Sequence, residues 1–238
     1  MNNDNDARDS IKHLPYVIDE KKRHHFYENN WKRVGLKLLS RYYPLQGRTF
    51  LDYGCGRGEA LKIFAEAGME VTGVDTDPEC IKLAAQFGKT SLITEAQPFI
   101  NLPEKSFDTV GCFHVLEHVE NPKQVLTQLG RIAREYVIVA VPNLNRLNGI
   151  FARGKSVLQV NEGHLQSWDH AHFFNLAERH CGLQLVAWGH DAVILSGVSW
   201  GINHFLGSKT AIWAETGIFT KIFPFHCISV LALLKPKK

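Results

Sequence analysis

The residues best placed to do chemistry are a short glycine loop and the two acids around it. Gly54-Cys55-Gly56-Arg57-Gly58 follows an apolar run, Asp52 precedes the turn, and Asp75 closes the next apolar run. Glycines at this spacing let the backbone turn tightly and approach a ligand with no Cβ in the way. A dinucleotide fingerprint, G-x-G-x-x-G/A, needs its third small residue where this chain has Glu59, so that pattern is not met. A carboxylate at position 52 repels a pyrophosphate but can hold an ammonium. Asp75 stands where an acid meets the two hydroxyls of a bound ribose.

A nucleoside with no phosphate and an amino-acid end is S-adenosylmethionine, whose demethylated product is S-adenosylhomocysteine. At these residues, over about Thr49 to Asn143, the chain resembles the class I S-adenosylmethionine-dependent methyltransferases of small-molecule type. Val71-Thr72-Gly73-Val74-Asp75 resembles that family's second strand and ribose acid. Ser106-Phe107-Asp108-Thr109-Val110, Leu116-Glu117-His118-Val119 and Asn121-Pro122 resemble the segment around its fourth strand. Gly163-His164, Ser167-Trp168 and Cys181-Gly182-Leu183 resemble its histidine segment after strand five and the turn into strand six. Glu95-Ala96 stands where the family often carries Asp-Ala near the adenine amino group. The resemblance implies S-adenosylmethionine as cofactor and no metal. Its cofactor site is Asp52, Gly54, Cys55, Gly56, Gly58, Asp75, Thr76, Glu95, Ala96, Phe113 and His114.

The donor sulfonium already carries the activation, so the protein mainly aligns acceptor and methyl carbon. A base is needed only where the acceptor is a hydroxyl or a similarly weak acid. His164, at the matching family position, is the first candidate, and His114, near the end of the fourth strand, the second. The expected activity is methyl transfer to an oxygen, or a nitrogen, of a small-molecule acceptor. A non-catalytic S-adenosylmethionine-binding protein and an RNA or protein methyltransferase stand as alternatives. Cys55 is read as a small packing residue beside the cofactor, not as a nucleophile.

These groups need a frame, and the hydrophobic pattern supplies one. Strands are expected at Thr49–Tyr53, Met69–Val74, Ser91–Thr94, Thr109–Phe113 and Val137–Val141, with helices at Glu59–Ala67 and Pro78–Phe87 between them. Asn121 reads as an N-cap, with Pro122 at the first helical position and Gln124 completing a capping box. A helix is expected over His170–Cys181, with two last strands at Leu183–Trp188 and Ile228–Leu234. Alternation of this kind predicts a doubly wound α/β fold, a mostly parallel, seven-stranded, Rossmann-like sheet covered on both faces.

Residues 1–44 are expected as a disordered start and a helical lid, with Tyr27, Trp31, Val34 and Leu38 on one face. Residues 45–238 are expected as one domain with a substrate-covering insertion at about 191–226. Trp200, Phe205, Trp213, Phe219, Phe223 and Phe225 are read mostly as core or cover. A net charge of +3 does not call for nucleic acid. Five scattered cysteines, never CxxC, argue against a disulfide framework or structural zinc. The polar start carries no signal-peptide pattern, and the longest apolar stretch is about half the roughly 20 residues of a membrane helix. A cytoplasmic monomer or homodimer with a small-molecule acceptor is the expectation.

Overall fold

The computed structural model describes residues 20–94, 96–99, 102–147 and 163–237. The expectations for residues 1–19 and for Glu95 lie outside them. A helix, α1 (Glu20–Leu39), precedes the alternating part: β1 (Thr49–Tyr53), α2 (Glu59–Glu66), β2 (Glu70–Asp75), α3 (Pro78–Ala84) and β3 (Lys89–Leu92). β4 (Phe107–Phe113), α4 (Pro122–Ile132) and β5 (Ala133–Pro142) follow. The last third holds α5 (His170–Asn175), β6 (Leu183–Gly189), α6 (Ser196–Leu206), α7 (Ser208–Trp213), α8 (Phe219–Ile222) and β7 (Ser229–Pro236).

The strands form one seven-stranded sheet in the order β3-β2-β1-β4-β5-β7-β6. β1 to β5 are parallel, and β7 runs antiparallel between β5 and β6. Because both faces are covered, the central strands carry apolar residues toward both, and alternate side chains feed different cores. Val137, Val139 and Val141 of β5 join one cluster with Val125, Leu129 and Ile132 of α4 and Phe173 of α5. Ile138 and Ala140 join the opposite cluster with Leu38, Leu39, Leu61 and Phe64 of α1 and α2. Phe64 stacks on Phe50 of β1 at 3.9 Å between ring centroids. Truncating such a buried ring to Ala typically costs about 3–5 kcal/mol.

Side-chain caps fix where the helices start. Asp77 accepts from the Glu79 N–H, Asn121 from the Gln124 N–H and Asp169 from the His172 N–H, so each first turn gains a partner for an otherwise orphaned donor. Pro78 and Pro122 occupy first helical positions, where a missing N–H costs nothing. The helix expected over 170–181 is α5 continued by a wide turn at Leu176–His180.

Between β6 and β7 the chain is helical over a small third cluster of Val193, Ala214, Phe219 and Cys227. This corrects the reading of the aromatics. Phe219 is buried and Phe223 packs on the cluster, but Trp200, Phe205, Trp213 and Phe225 face outward. Ser196, Ser199, Ala211 and Ala214, all small, fill the inward positions of α6, α7 and the following turn, so the rings are left on the other side. Among the described residues no helix is long and apolar enough to cross a membrane.

Candidate functional site

β1 has β2 on one side and β4 on the other, so the connections leaving these strands diverge and open a crevice at their carboxyl ends. The glycine loop lies there. Gly54 has φ +76°, and a Cβ on it would lie 2.3 Å from Val115 Cγ2, so only glycine fits against the turn that follows β4. Gly56, at φ +51°, faces open space, which leaves its backbone bare to a ligand.

The loop's own donors are spent inside the protein. The Gly54 and Cys55 N–H groups both donate to the Val74 carbonyl, and the Gly58 N–H donates to the Cys55 carbonyl. The Gly56 N–H donates to Asp75 Oδ2 at 2.8 Å. A phosphate cradle works through free N–H groups. This loop offers none at those four positions and is flanked by two carboxylates, so it suits a neutral or cationic ligand.

Asp75 also accepts the Asp77 N–H on Oδ1 at 3.0 Å. Two backbone donors therefore hold the carboxylate still, and its remaining lone pairs can accept further donors. Asp52 is different. It is 2% exposed, and its Oδ1 is buried with no hydrogen-bond partner. Desolvation pushes its carboxyl up to about 8; Lys32 acts to lower it, and Glu59 and Asp75 raise it further. A buried carboxyl with an unused oxygen calls for a proton or a cation. An adenosyl amino acid carries groups of both kinds, hydroxyls that a held carboxylate can accept and an ammonium that an unpaired one can meet.

Asp52, Gly54, Cys55, Gly56, Gly58, Asp75 and the exposed Thr76 are thus brought to one edge, with His114 at the end of β4 beside them. Cys55 contributes backbone only. Its Sγ points under the sheet, where a Cβ on Gly73 would meet it at 2.8 Å, and burial pushes its thiol far up. The Phe113 side chain turns inward. Its ring lies in the core against Phe64 and beneath Gly35, because alternation along β4 turns it away from the sheet edge. Ala96 sits exposed in the turn after β3, whose Ile93 N–H donates to the Asp75 carbonyl.

The histidines separate by their partners. His114, with φ +56°, has Nδ1 at 3.0 Å from Glu117 Oε1 and Nε2 at 3.1 Å from Ser229 Oγ, and its ring lies 4.5 Å from that of Trp31. Both nitrogens are engaged, which suits a strut between β4, β7 and α1 better than a base. Among the described residues His164 makes no such bonds. Burial lowers its pKa below 6.5, with Glu117 opposing, so it stands neutral near neutral pH. Its ring edge meets His118 at 4.9 Å between centroids.

Three contributors were not found in the sequence. Lys32 reaches Glu59 at 3.6 Å and acts on Asp52, yet it lies one position off the helix stripe that was read. Glu117 has no role of its own in the sequence pattern, yet it is fully buried with Oε2 unpartnered. Asp191 carries no motif at all. It accepts from the Ala192 and Ser229 N–H groups, while its carbonyl accepts from Asn30 Nδ2, tying β7 and α1 to the loop after β6. A separate shallow groove of about 610 Å³, lined by Lys123, Gln166, Trp168 and His172 among others, contains none of the loop residues.

A family model described as a methyltransferase domain matches residues 22–187. The ubiquinone biosynthesis O-methyltransferase of Xanthomonas oryzae pv. oryzae (strain PXO99A) is 32% identical over 125 residues, covering 50% of this chain and 52% of that one. That of Paracidovorax citrulli (strain AAC00-1) is 34% identical over 133 residues, with the same coverage. The chain thus spans about half the length of the curated relatives it matches. Among solved structures, magnesium protoporphyrin IX methyltransferase from Synechocystis PCC 6803, with bound S-adenosylhomocysteine, superposes with a TM-score of 0.59 at 18% identity, over 92% of this chain and 87% of that one. An S-adenosylmethionine-dependent methyltransferase from Mesorhizobium loti gives 0.56 at 13% identity, over 84% and 96%. With a family match across most of its length, the chain belongs to the methyltransferase domain family, as a class I S-adenosylmethionine-dependent methyltransferase.

Proposed function

We propose that this enzyme moves a methyl group from S-adenosylmethionine to an oxygen of a small-molecule acceptor, with nitrogen as the alternative atom. The observation that carries the reading is Asp52, a buried carboxyl with an unpaired oxygen beside a loop whose donors are already used. When bound, the cofactor supplies an activated methyl on a sulfonium. The chain's own work is placement. Asp52 holds the α-ammonium, Asp75 the ribose hydroxyls, and the bare face of Gly56 lets the ligand settle against the backbone. Holding two reactants in an attack geometry is worth roughly 7–11 kcal/mol.

Water exclusion falls to α1 and the helices after β6. Trp31 covers His114, Asn30 bonds Asp191, and the Tyr27 hydroxyl bonds Glu215, so the two covers are tied to each other over the sheet edge. Proton handling is assigned to His164, neutral and half-buried beside His118, in the field of Glu117. The ubiquinone O-methyltransferase relatives support oxygen as the acceptor atom. Calorimetric titration with S-adenosylhomocysteine and with NAD, followed by mass analysis of a phenol and amine panel, tests the reading. Binding of the first ligand and methylated phenol are expected. NAD binding without S-adenosylhomocysteine binding overturns the cofactor, and firm cofactor binding without transfer to any acceptor favours a non-catalytic protein.

A further inference from the structure

We propose that Glu117, His118 and His164 form a site for a divalent first-row transition ion of the zinc class, with one coordination position open to the methyl acceptor. The inference rests on the transferase reading and adds to it a metal where the family resemblance implied none. One donor atom from each residue lies within 4.8 Å of the other two. Two imidazoles, one carboxylate and an open position make the ligand set of a catalytic zinc site. The same set disfavours magnesium and calcium, which prefer oxygen donors.

The surroundings prepare each ligand. Glu117 is fully buried, and its Oε1 accepts from His114 Nδ1. That leaves Oε2 buried and unpartnered, a position that a cation would satisfy. His118 Nδ1 lies 2.8 Å from the Gly163 carbonyl, which can only accept, so Nδ1 carries the hydrogen and Nε2 keeps its lone pair. Metal-bound histidines show this pattern of a second nitrogen donating to a carbonyl or carboxylate. Bond lengths near 2.1 Å put donors about 3.4 Å apart in a tetrahedron. Small tilts of the exposed His118 and half-buried His164 rings close that gap while Glu117 stays fixed in the core.

The site's place suits the chemistry. Glu117 and His118 follow β4, and the adjoining Val115 packs on Gly54 of the cofactor loop. An acceptor hydroxyl on the open position is acidified as metal-bound water is. Its proton leaves to solvent, the oxygen lone pair forms the bond to the methyl carbon, and the carbon–sulfur bond breaks with its electrons kept by sulfur. With the ion bound, His164 serves as a ligand, and the base role given to it above belongs to the ion-free enzyme.

The test starts from protein stripped with a chelator, titrated calorimetrically with Zn²⁺ and, in parallel, with Co²⁺ followed by visible absorption. One ion per chain is expected, with cobalt bands of a four- or five-coordinate site. His118→Ala, at an exposed position, should keep the fold and lose more than the 10–100-fold that a lost supporting contact costs; His114→Gln should lose about 10–100-fold. S-adenosylhomocysteine binding should survive both stripping and His118→Ala. No ion uptake, or uptake by His118→Ala as tight as wild type, overturns the site. A stripped enzyme that transfers methyl groups at the full rate also overturns it and leaves His164 as the base. Failure of the wild type to bind S-adenosylhomocysteine instead overturns the transferase reading, and the acceptor role of the ion with it.

Discussion

If Asp52 holds the cofactor's ammonium, the affinity must depend on pH in a way set by that carboxyl. In the ligand-free fold, burial raises Asp52 to about 8, against an ordinary 3.9 in the unfolded chain. An ammonium against the buried oxygen favours the carboxylate and pulls the value in the complex back toward the ordinary range. Binding therefore releases close to one proton at neutral pH. With about 4 in the complex, affinity rises roughly 25-fold between pH 6 and 7.5, near the limit of tenfold per unit. Above that range the ligand's own α-amino group starts to lose its proton, so the measurement stops there. Calorimetry in two buffers of different ionisation enthalpy reads the proton count directly. Asp52→Asn should flatten the dependence and weaken binding throughout.

The same substitution should stabilise the ligand-free protein, and the sign follows from the raised value. The folded chain keeps a proton that the unfolded chain gives up near pH 4, so this group's contribution is full below that pH and is lost as pH climbs toward 8. At pH 7 the loss is at most about 4 kcal/mol, which Asn, always neutral, avoids. Thermal melts at pH 5 and 7 check it. An affinity that is level from pH 6 to 7.5, or an Asn variant that binds as tightly as wild type, refutes the reasoning.

Asp75→Ala should weaken cofactor binding by about 1.5–3 kcal/mol, the scale of hydrogen bonds to a charged group; unchanged affinity in a folded variant would place the ribose elsewhere. Gly54→Ala puts a methyl on Val115 at a positive φ and should lower stability by about 1–3 kcal/mol in chemical denaturation. His164→Gln should keep the fold and cofactor affinity while cutting transfer by about 10²–10⁴-fold in a steady-state assay. His170, buried between Phe174 and Phe225 with both ring nitrogens unpartnered, has its pKa lowered by burial. Its neutral form belongs to the fold, so stability should drop as pH falls below about 6.5, and His170→Phe should lessen that drop in melts from pH 7.5 to 5.

The sheet and the cofactor loop were legible because local rules write them. Val137, Ile138, Val139 and Val141 are β-branched in a run interrupted only by Ala140, and Asn121-Pro122 and Asp77-Pro78 mark helix starts through bonds that span two or three residues. Gly54 follows β1 and Asp75 ends the neighbouring β2, so their spacing is that of one strand–helix–strand unit. What stayed hidden depends on contacts between distant segments. Phe113 and His114 are neighbours in the chain, but Phe113 ends the strand with its ring against Phe64, whereas His114 turns at φ +56° and meets Trp31, some 80 positions earlier in the chain. Glu117 and His164 are brought together by the order of β4 and β5, and nothing local in Leu116-Glu117-His118 tells a buried ligand from an exposed acid. Asp191 shows the limit most plainly. Its neighbours in sequence are unremarked, yet it gathers α1, β7 and the loop after β6, so its role exists only once the sheet has closed around it.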